Sequence, residues 1–501
     1  MKGNIIGQAD LQSYLSLGYF MNSLARTICL ALVILAIPVQ TAAAKNLPVI
    51  NIHSSNDMSL EDEYQLGNII ASSIRKQLPL WNDLAALKFI KDLTQPLISR
   101  SQLSNKNTQI FLIHDGKINA FAAPGGIIGI NTGLIQQAGS VDELVAVLAH
   151  EVAHLSLRHY VQTQAQEKAQ APLYLGAFIA SIWLAGNIND DIGEAGIYAT
   201  QSALQRNQLS YSRRHEREAD RIGFDLMYQS PFDVTHMQRL LQRLQSPYVK
   251  DSPQWEWARS HPINSERVAD ISQRILISQQ SQTEHGFDLG FDLLKIYQTM
   301  TLSGLTSPSV NQLMQKFDPL TNHYSTLIAF SEALINQNSG KLVLANQQLK
   351  DLALKQPNAT LIWYSWMQSL LTQKQAQTVL KQLTLRKLNR RDNSLSLWIK
   401  ALALRQNIQP RAAVDVLLAL LDDHPTWILG WRTLAEWGAE DQRLQLNHMA
   451  QSRWHLLRGE AKLALKQAQY ASQQQPDSQA GSVLEQQQEA LKLLADQARF
   501  N

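Results

Sequence analysis

The chain has 501 residues, enough for two or more domains, and is 45% hydrophobic and 17% charged. That balance excludes a disordered chain and a multi-span membrane protein. The formal net charge is only +3, so no basic surface argues for nucleic acid as a partner.

The N-terminal stretch "MNSLARTICLALVILAIPVQTAAA", residues 21–44, places Arg26 before a short apolar run from Thr27 to Val39 and ends on Ala42-Ala43-Ala44. This is the pattern of a secretory signal cleaved after Ala44; an uncleaved anchor is the alternative. Translation starting at Met21 would account for the residues upstream. Cys29, the single cysteine, leaves with the signal, so the mature chain has no thiol for a disulfide or a metal. Any metal must then be held by nitrogen and oxygen.

From Leu60 to Ile98 the pattern is helical, with Pro79 dividing two helices. Strands follow at about 109–114, 118–122 and 127–131, and Asp115-Gly116 reads as a type I′ hairpin turn between the first two. Ser140 caps a helix predicted over 141–165, with Asp142 and Glu143 opposing the dipole in its first turn. The apolar stretch 173–185 is short for a span and reads as a core helix, with a membrane-touching helix as the alternative. Helices are predicted at 208–229, 233–245 and 264–278, then a Gln/Ser-rich loop over 278–286.

Beyond residue 318 the sequence repeats. Ala333, Ala345 and Pro357 are spaced by 12, and Ala401, Ala413 and Pro425 repeat the set 68 residues later, twice 34. A 34-residue period with small residues between paired helices resembles tetratricopeptide (TPR) repeats. Ala464 and Pro476 keep the spacing of 12, but Pro476 lies 51 residues after Pro425, which predicts an extra or irregular helix near 436–458.

The chemistry is concentrated in "LAHEVAHLSLRH", residues 148–159. His150 and His154, four apart, lie on one helical face where both imidazoles can reach a single zinc, and Glu151 lies beside them as a base. Two arrangements for a third ligand fail: Leu157 and Tyr160 stand where a metzincin needs Gly and His, and Tyr174 stands where a thermolysin-like site wants Glu. In "SRRHEREADRIGFDLM", residues 212–227, Glu216 and Asp220 share a face, so Glu216 can be the third ligand with Asp220 supporting it. His159 reads as a locally bonded residue and His215 as no ligand, since helical neighbours point about 100° apart.

HExxH followed at a distance by E-x-x-x-D resembles the zinc metallopeptidases that include HtpX and the CAAX prenyl protease 1 group. The resemblance implies one zinc per chain on His150, His154 and Glu216, with Glu151 as general base. It makes Asp220 a proton donor, or a residue that orients a histidine. "INAFAAPGG", 118–126, resembles that family's strand beside the active site, whose edge could pair with a substrate backbone. "HPINSERV", 261–268, resembles another of its elements. His261 would stabilise the oxyanion or fill zinc's open position at rest, and Arg267 would steer or neutralise it.

With the signal and the repeats, residues 45–500 resemble the beta-barrel assembly-enhancing protease group. The expected fold is mostly α with a small sheet (α+β): an extension and signal over 1–44, a gluzincin metallopeptidase domain over 45–305 and a TPR solenoid over 306–500. The resemblance implies a periplasmic endopeptidase that degrades misfolded or misassembled outer-membrane proteins. Its partners would be such substrates and, through the repeats, the outer-membrane β-barrel assembly machinery, with peripheral membrane contact. A chaperone or scaffold with latched or secondary proteolysis is the second reading. A membrane-bound peptidase of prenylated proteins is the third, weakened by the lack of spans.

Overall fold

The computed structural model describes residues 58–166, 212–246, 249, 252, 254–278, 286–302, 308–385 and 393–500. The signal read at 21–44, the apolar stretch 173–185 and most of the loop 278–286 lie outside them.

Helices α1 (Leu60–Gln77) and α2 (Leu84–Arg100) flank Pro79, as the sequence predicts. Each begins on a side-chain cap: Ser59 accepts from the Asp62 N–H at 3.1 Å and Asp83 from the Ala86 N–H at 2.9 Å. The sheet comprises β1 (Gln109–Ile113), β2 (Ala120–Ala123) and β3 (Ile127–Asn131), in the order β1-β3-β2. β3 is central, parallel to β1 and antiparallel to β2.

The hairpin expected at Asp115-Gly116 is therefore wrong, since β1 and β2 are opposite edges. The hairpin lies instead between β2 and β3, across Pro124, Gly125 and Gly126, the two glycines both with φ 78°. Glycine takes such positive values at no steric cost, and Gly116 does not have one. Asp115 closes a local turn by accepting from the Lys117 N–H at 2.9 Å, while its own backbone is tied to the Thr132 hydroxyl. A turn-prone dipeptide gave the bend correctly and the pairing wrongly, because β1 finds its partner beyond the next strand.

After α3 (Thr132–Gln137) comes the central helix α4 (Val141–Ser156), buried on every side from Val141 to Leu155. Ser140 caps it, accepting from the Glu143 N–H at 3.2 Å. The single helix predicted over 141–165 is two, because the chain breaks before α5 (His159–Gln166). Arg158 takes φ 51° there, held by its bonds to the Glu63 carboxylate at 2.8 Å and the Met58 carbonyl at 2.7 Å. Helices α6 (Arg213–Tyr228), α7 (Thr235–Leu244), α8 (Glu256–Ser260) and α9 (Ser265–Ser278) follow, with α2, α6, α7 and β2 all packing on α4.

Helices α10 (Asp288–Leu302) and α11 (Val310–Met314) lead to a series in which each helix packs on the next. It runs α12 (Tyr324–Asn338), α13 (Leu342–Lys355), α14 (Thr360–Thr372), α15 (Ala376–Leu385) and α16 (Ser394–Gln406). It continues with α17 (Pro410–Asp423), α18 (Ile428–Glu440), α19 (Leu444–Leu457), α20 (Ala461–Ser472) and α21 (Val483–Phe500). The second helices of successive pairs begin at 342, 376, 410 and 444. The preceding turns place Gly340, Lys374, Ile408 and Gln442 at φ 57–77°, again 34 apart. No irregular helix interrupts 436–458: α18 and α19 keep the register. The 51-residue proline spacing arises because Pro476 follows α20, a first helix, whereas Pro357 and Pro425 follow second ones.

One apolar core runs from Trp81 on the peptidase side through the repeats. Tyr297 of α10 donates to Asp83 at 2.9 Å, and Trp427 donates to the Asn82 carbonyl at 3.4 Å. No helix among the described residues is long and apolar enough to cross a membrane.

Candidate metal centre

On the buried α4, His150 and His154 bring their Nε2 atoms within 3.0 Å of each other. α6 crosses α4 at this level because residue 223 is glycine: a Cβ there would lie 3.2 Å from the Ala149 carbonyl carbon and the His150 nitrogen. Two turns before that crossing, Glu216 places Oε2 3.4 Å from His150 Nε2 and Oε1 3.6 Å from His154 Nε2. His261, just after α8, brings Nδ1 to 3.0 Å from Glu216 Oε1 and 3.3 Å from His150 Nε2.

These four side chains each offer a donor atom within 4.8 Å of the others, and all four are buried. Ring nitrogens that face one another this closely must share protons or a cation. Burial and the adjacent His150 charge hold His154 well below the usual imidazole range, so it is the neutral form a metal requires. Burial opposes charge on Glu216, yet His261 and His150 keep its carboxyl well below the usual carboxylate range. Three imidazoles and an ionised carboxylate suit zinc. Glu151, fully buried, points one oxygen at the Trp257 N–H at 2.8 Å, and its Oε2 has no hydrogen-bond partner. An orphaned buried carboxylate oxygen beside such donors fits a site completed by metal and water.

Each α4 histidine has a polar group close to its outer nitrogen. Asp220 Oδ1 lies 3.0 Å from His150 Nδ1, and His159 Nδ1 lies 2.9 Å from His154 Nδ1. Each histidine therefore turns Nε2 inward. Burial disfavours a charged His150, but Asp220 and Glu216 outweigh it and raise its pKa to about 9. Arg267, among the largest fully buried side chains, closes the cluster from behind. Its Nε and Nη2 donate to Asp220 at 2.6 and 2.8 Å, and its Nη1 lies 2.8 Å from Glu216 Oε2. Burial alone would raise the Asp220 pKa; the Arg267 charge lowers it.

All seven residues picked out by the sequence meet in this cluster, and two more belong with them. Trp257 holds the Glu151 carboxylate and stacks on His261 at 5.0 Å. His159 holds His154 and stacks on His215 at 4.4 Å; burial, with His215 beside it, lowers its pKa to about 4. No motif signals Trp257. His159 stood inside the opening motif, but the break at Arg158 that turns it back onto His154 was not visible.

Residues 87–275, which contain the whole cluster, match peptidase family M48. The beta-barrel assembly-enhancing protease of Yersinia pestis is 26% identical over 410 residues, 79% of this chain and 82% of its own. The beta-barrel assembly-enhancing protease of Escherichia coli is 29% identical over 239 residues, 47% of this chain and 48% of its own length. The chain thus spans about half of that relative. The mitochondrial metalloendopeptidase OMA1 of Schizosaccharomyces pombe is 27% identical over 233 residues, 45% of this chain and 65% of its own. With a buried His/His/Glu/His donor set inside the segment that matches peptidase family M48, the chain is a zinc metallopeptidase.

Proposed function

We propose that the chain is a periplasmic endopeptidase that removes misassembled outer-membrane proteins. The observation that carries the peptidase reading is the orphaned Glu151 Oε2 beside four buried metal donors. The relatives' names carry the client class. In this reading His150, His154 and Glu216 hold zinc, which when bound supplies Lewis acidity and lowers the pKa of water. Glu151 takes the proton from the attacking water and passes it to the leaving amine, while the Trp257 N–H fixes its other oxygen. Asp220 fixes the tautomer of His150. β2, at a sheet edge against α4, turns the backbone groups of Ala120 and Ala122 outward, where an extended substrate can pair. The helical pairs serve as TPR units that dock clients or an assembly machine.

Treating the purified protein with a chelator abolishes hydrolysis of an unfolded substrate, and added zinc restores it. Hydrolysis that persists without metal sinks this reading.

His261 supports a second feature. A catalytic zinc keeps one position open, and His261 Nδ1 sits within the donor set at 3.0 Å from Glu216. In the proposed resting state it closes that position. Replacing His261 by Ala then raises the hydrolysis rate, by about tenfold for each 1.4 kcal/mol of closure removed. If His261 instead stabilises the oxyanion, the rate falls, and the same assay separates the two.

A further inference from the structure

β1 is the sheet edge opposite β2. Its odd-numbered residues face β3, as where the Gln109 N–H donates to Gly126 at 2.9 Å, so its even-numbered residues face away. Residues 79–81 cover the far end of this edge: the Trp81 N–H donates to Leu112 at 2.8 Å and the His114 N–H to Pro79 at 2.7 Å. The cover stops where Asp83 caps α2. Beyond it the Ile110 N–H and C=O and the Leu112 N–H have no partner among the described residues. An uncovered edge is a template for another strand.

This edge opens into a cavity of about 550 Å³ between α2, the loop 105–108 and the start of α18. Its lining includes Arg75, Lys88, Lys91 and Lys106, and no Asp or Glu. Lys88 is paired with Asp92 at 2.8 Å, and Lys106 rests on the carbonyls that end α2. Arg75 and Lys91 meet no carboxylate among the described residues. Arg75 is 9% exposed, bonded to the Gln109 side chain and lying over the Phe111 ring at 5.1 Å. A buried cation without an anion, beside unpaired strand amides, is a costly arrangement that an incoming anionic strand relieves.

We propose that this groove binds an extended segment of a partner protein that carries acidic side chains and adds to the free edge of β1 as a fourth strand. Main-chain bonds to Ile110 and Leu112 give the affinity, and carboxylates directed at Arg75 and Lys91 give the preference. The site goes beyond the proposed cleavage reaction: it lies on the other edge of the sheet from β2, walled by residues 424–428 of the repeat region. A partner held there touches the peptidase core and the helical pairs at once.

The test uses the full mature chain with Glu151→Gln, so that no peptide is cut. A fluorescent peptide of about eight residues, the length of an ordinary strand, alternating Glu and Val, is titrated by anisotropy. Ile110→Pro removes the outward N–H while leaving the bonds of β1 to β3 intact, and is expected to weaken binding about tenfold. Lys91→Glu, at an exposed position, weakens it similarly and flattens its salt dependence. Unchanged affinity in both variants, no binding, or equal binding of a Lys–Val peptide overturns the proposal. Should Ile110→Pro fail to melt cooperatively, Lys91→Glu and the Lys–Val peptide decide alone.

Discussion

Glu151→Gln lowers hydrolysis of an unfolded substrate by about 10²–10⁴-fold, the usual contribution of a positioned general base, while zinc content stays at that of the unmodified chain. The argument rests on what the substitution keeps. Gln retains the oxygen that accepts from Trp257 at 2.8 Å, so the side chain stays in place and α4 keeps its packing. Glu151 holds no position among the four donors, so metal binding does not depend on its charge. What disappears is the basic Oε2, the one carboxylate oxygen of the cluster that is buried without any hydrogen bond or ion pair. Metal analysis beside a hydrolysis assay checks both halves. Unaltered hydrolysis removes Glu151 from the proton transfer. Support of outer-membrane assembly that survives the substitution moves the function to a chaperone or scaffold.

The parts of this site that a sequence reveals are those bound to a helical period. His150 and His154 are four apart, as are Glu216 and Asp220, and that spacing alone puts each pair on one face. Which helices would then meet was not contained in either spacing; Gly223 against Ala149 is the contact that decides it. His261 and Arg267 were reached only through resemblance, because the segment around α8 has no period to read. Trp257 and His159 depend on a loop returning and on a positive φ at Arg158, both set by tertiary anchors. The sheet shows the same limit. Strand positions followed from composition, but the parallel pairing of β1 with β3 is non-local and overrode the local turn signal at Asp115-Gly116. The repeats were legible for the opposite reason, since a 34-residue period carries its tertiary contacts with it.

Arg267→Met destabilises the metal-free protein by about 3–5 kcal/mol, the cost of breaking a buried ion pair and leaving its partners charged. Arg267 is 1% exposed and is a permanent cation paired with both Asp220 and Glu216. Met fills much of the same space, so cavity formation contributes little and the loss reports the charges. Without the guanidinium, burial drives the Asp220 carboxyl towards protonation, opposite to its lowered pKa now, while His261 and His150 still hold Glu216 ionised. A protonated Asp220 no longer accepts from His150 as a carboxylate, and zinc affinity falls about 10–100-fold, as when an outer partner of a ligating histidine is lost. Denaturant unfolding with and without zinc measures both effects: zinc recovers part of the lost stability by neutralising Glu216, but not the part due to Asp220. Arg267→Met combined with Asp220→Asn removes the second orphaned charge and should be less unstable in the metal-free state than Arg267→Met alone, although zinc binds it no better. If the double variant is instead less stable by the sum of the two single effects, Arg267 and Asp220 act independently, and the guanidinium is packing rather than the counter-charge of the centre.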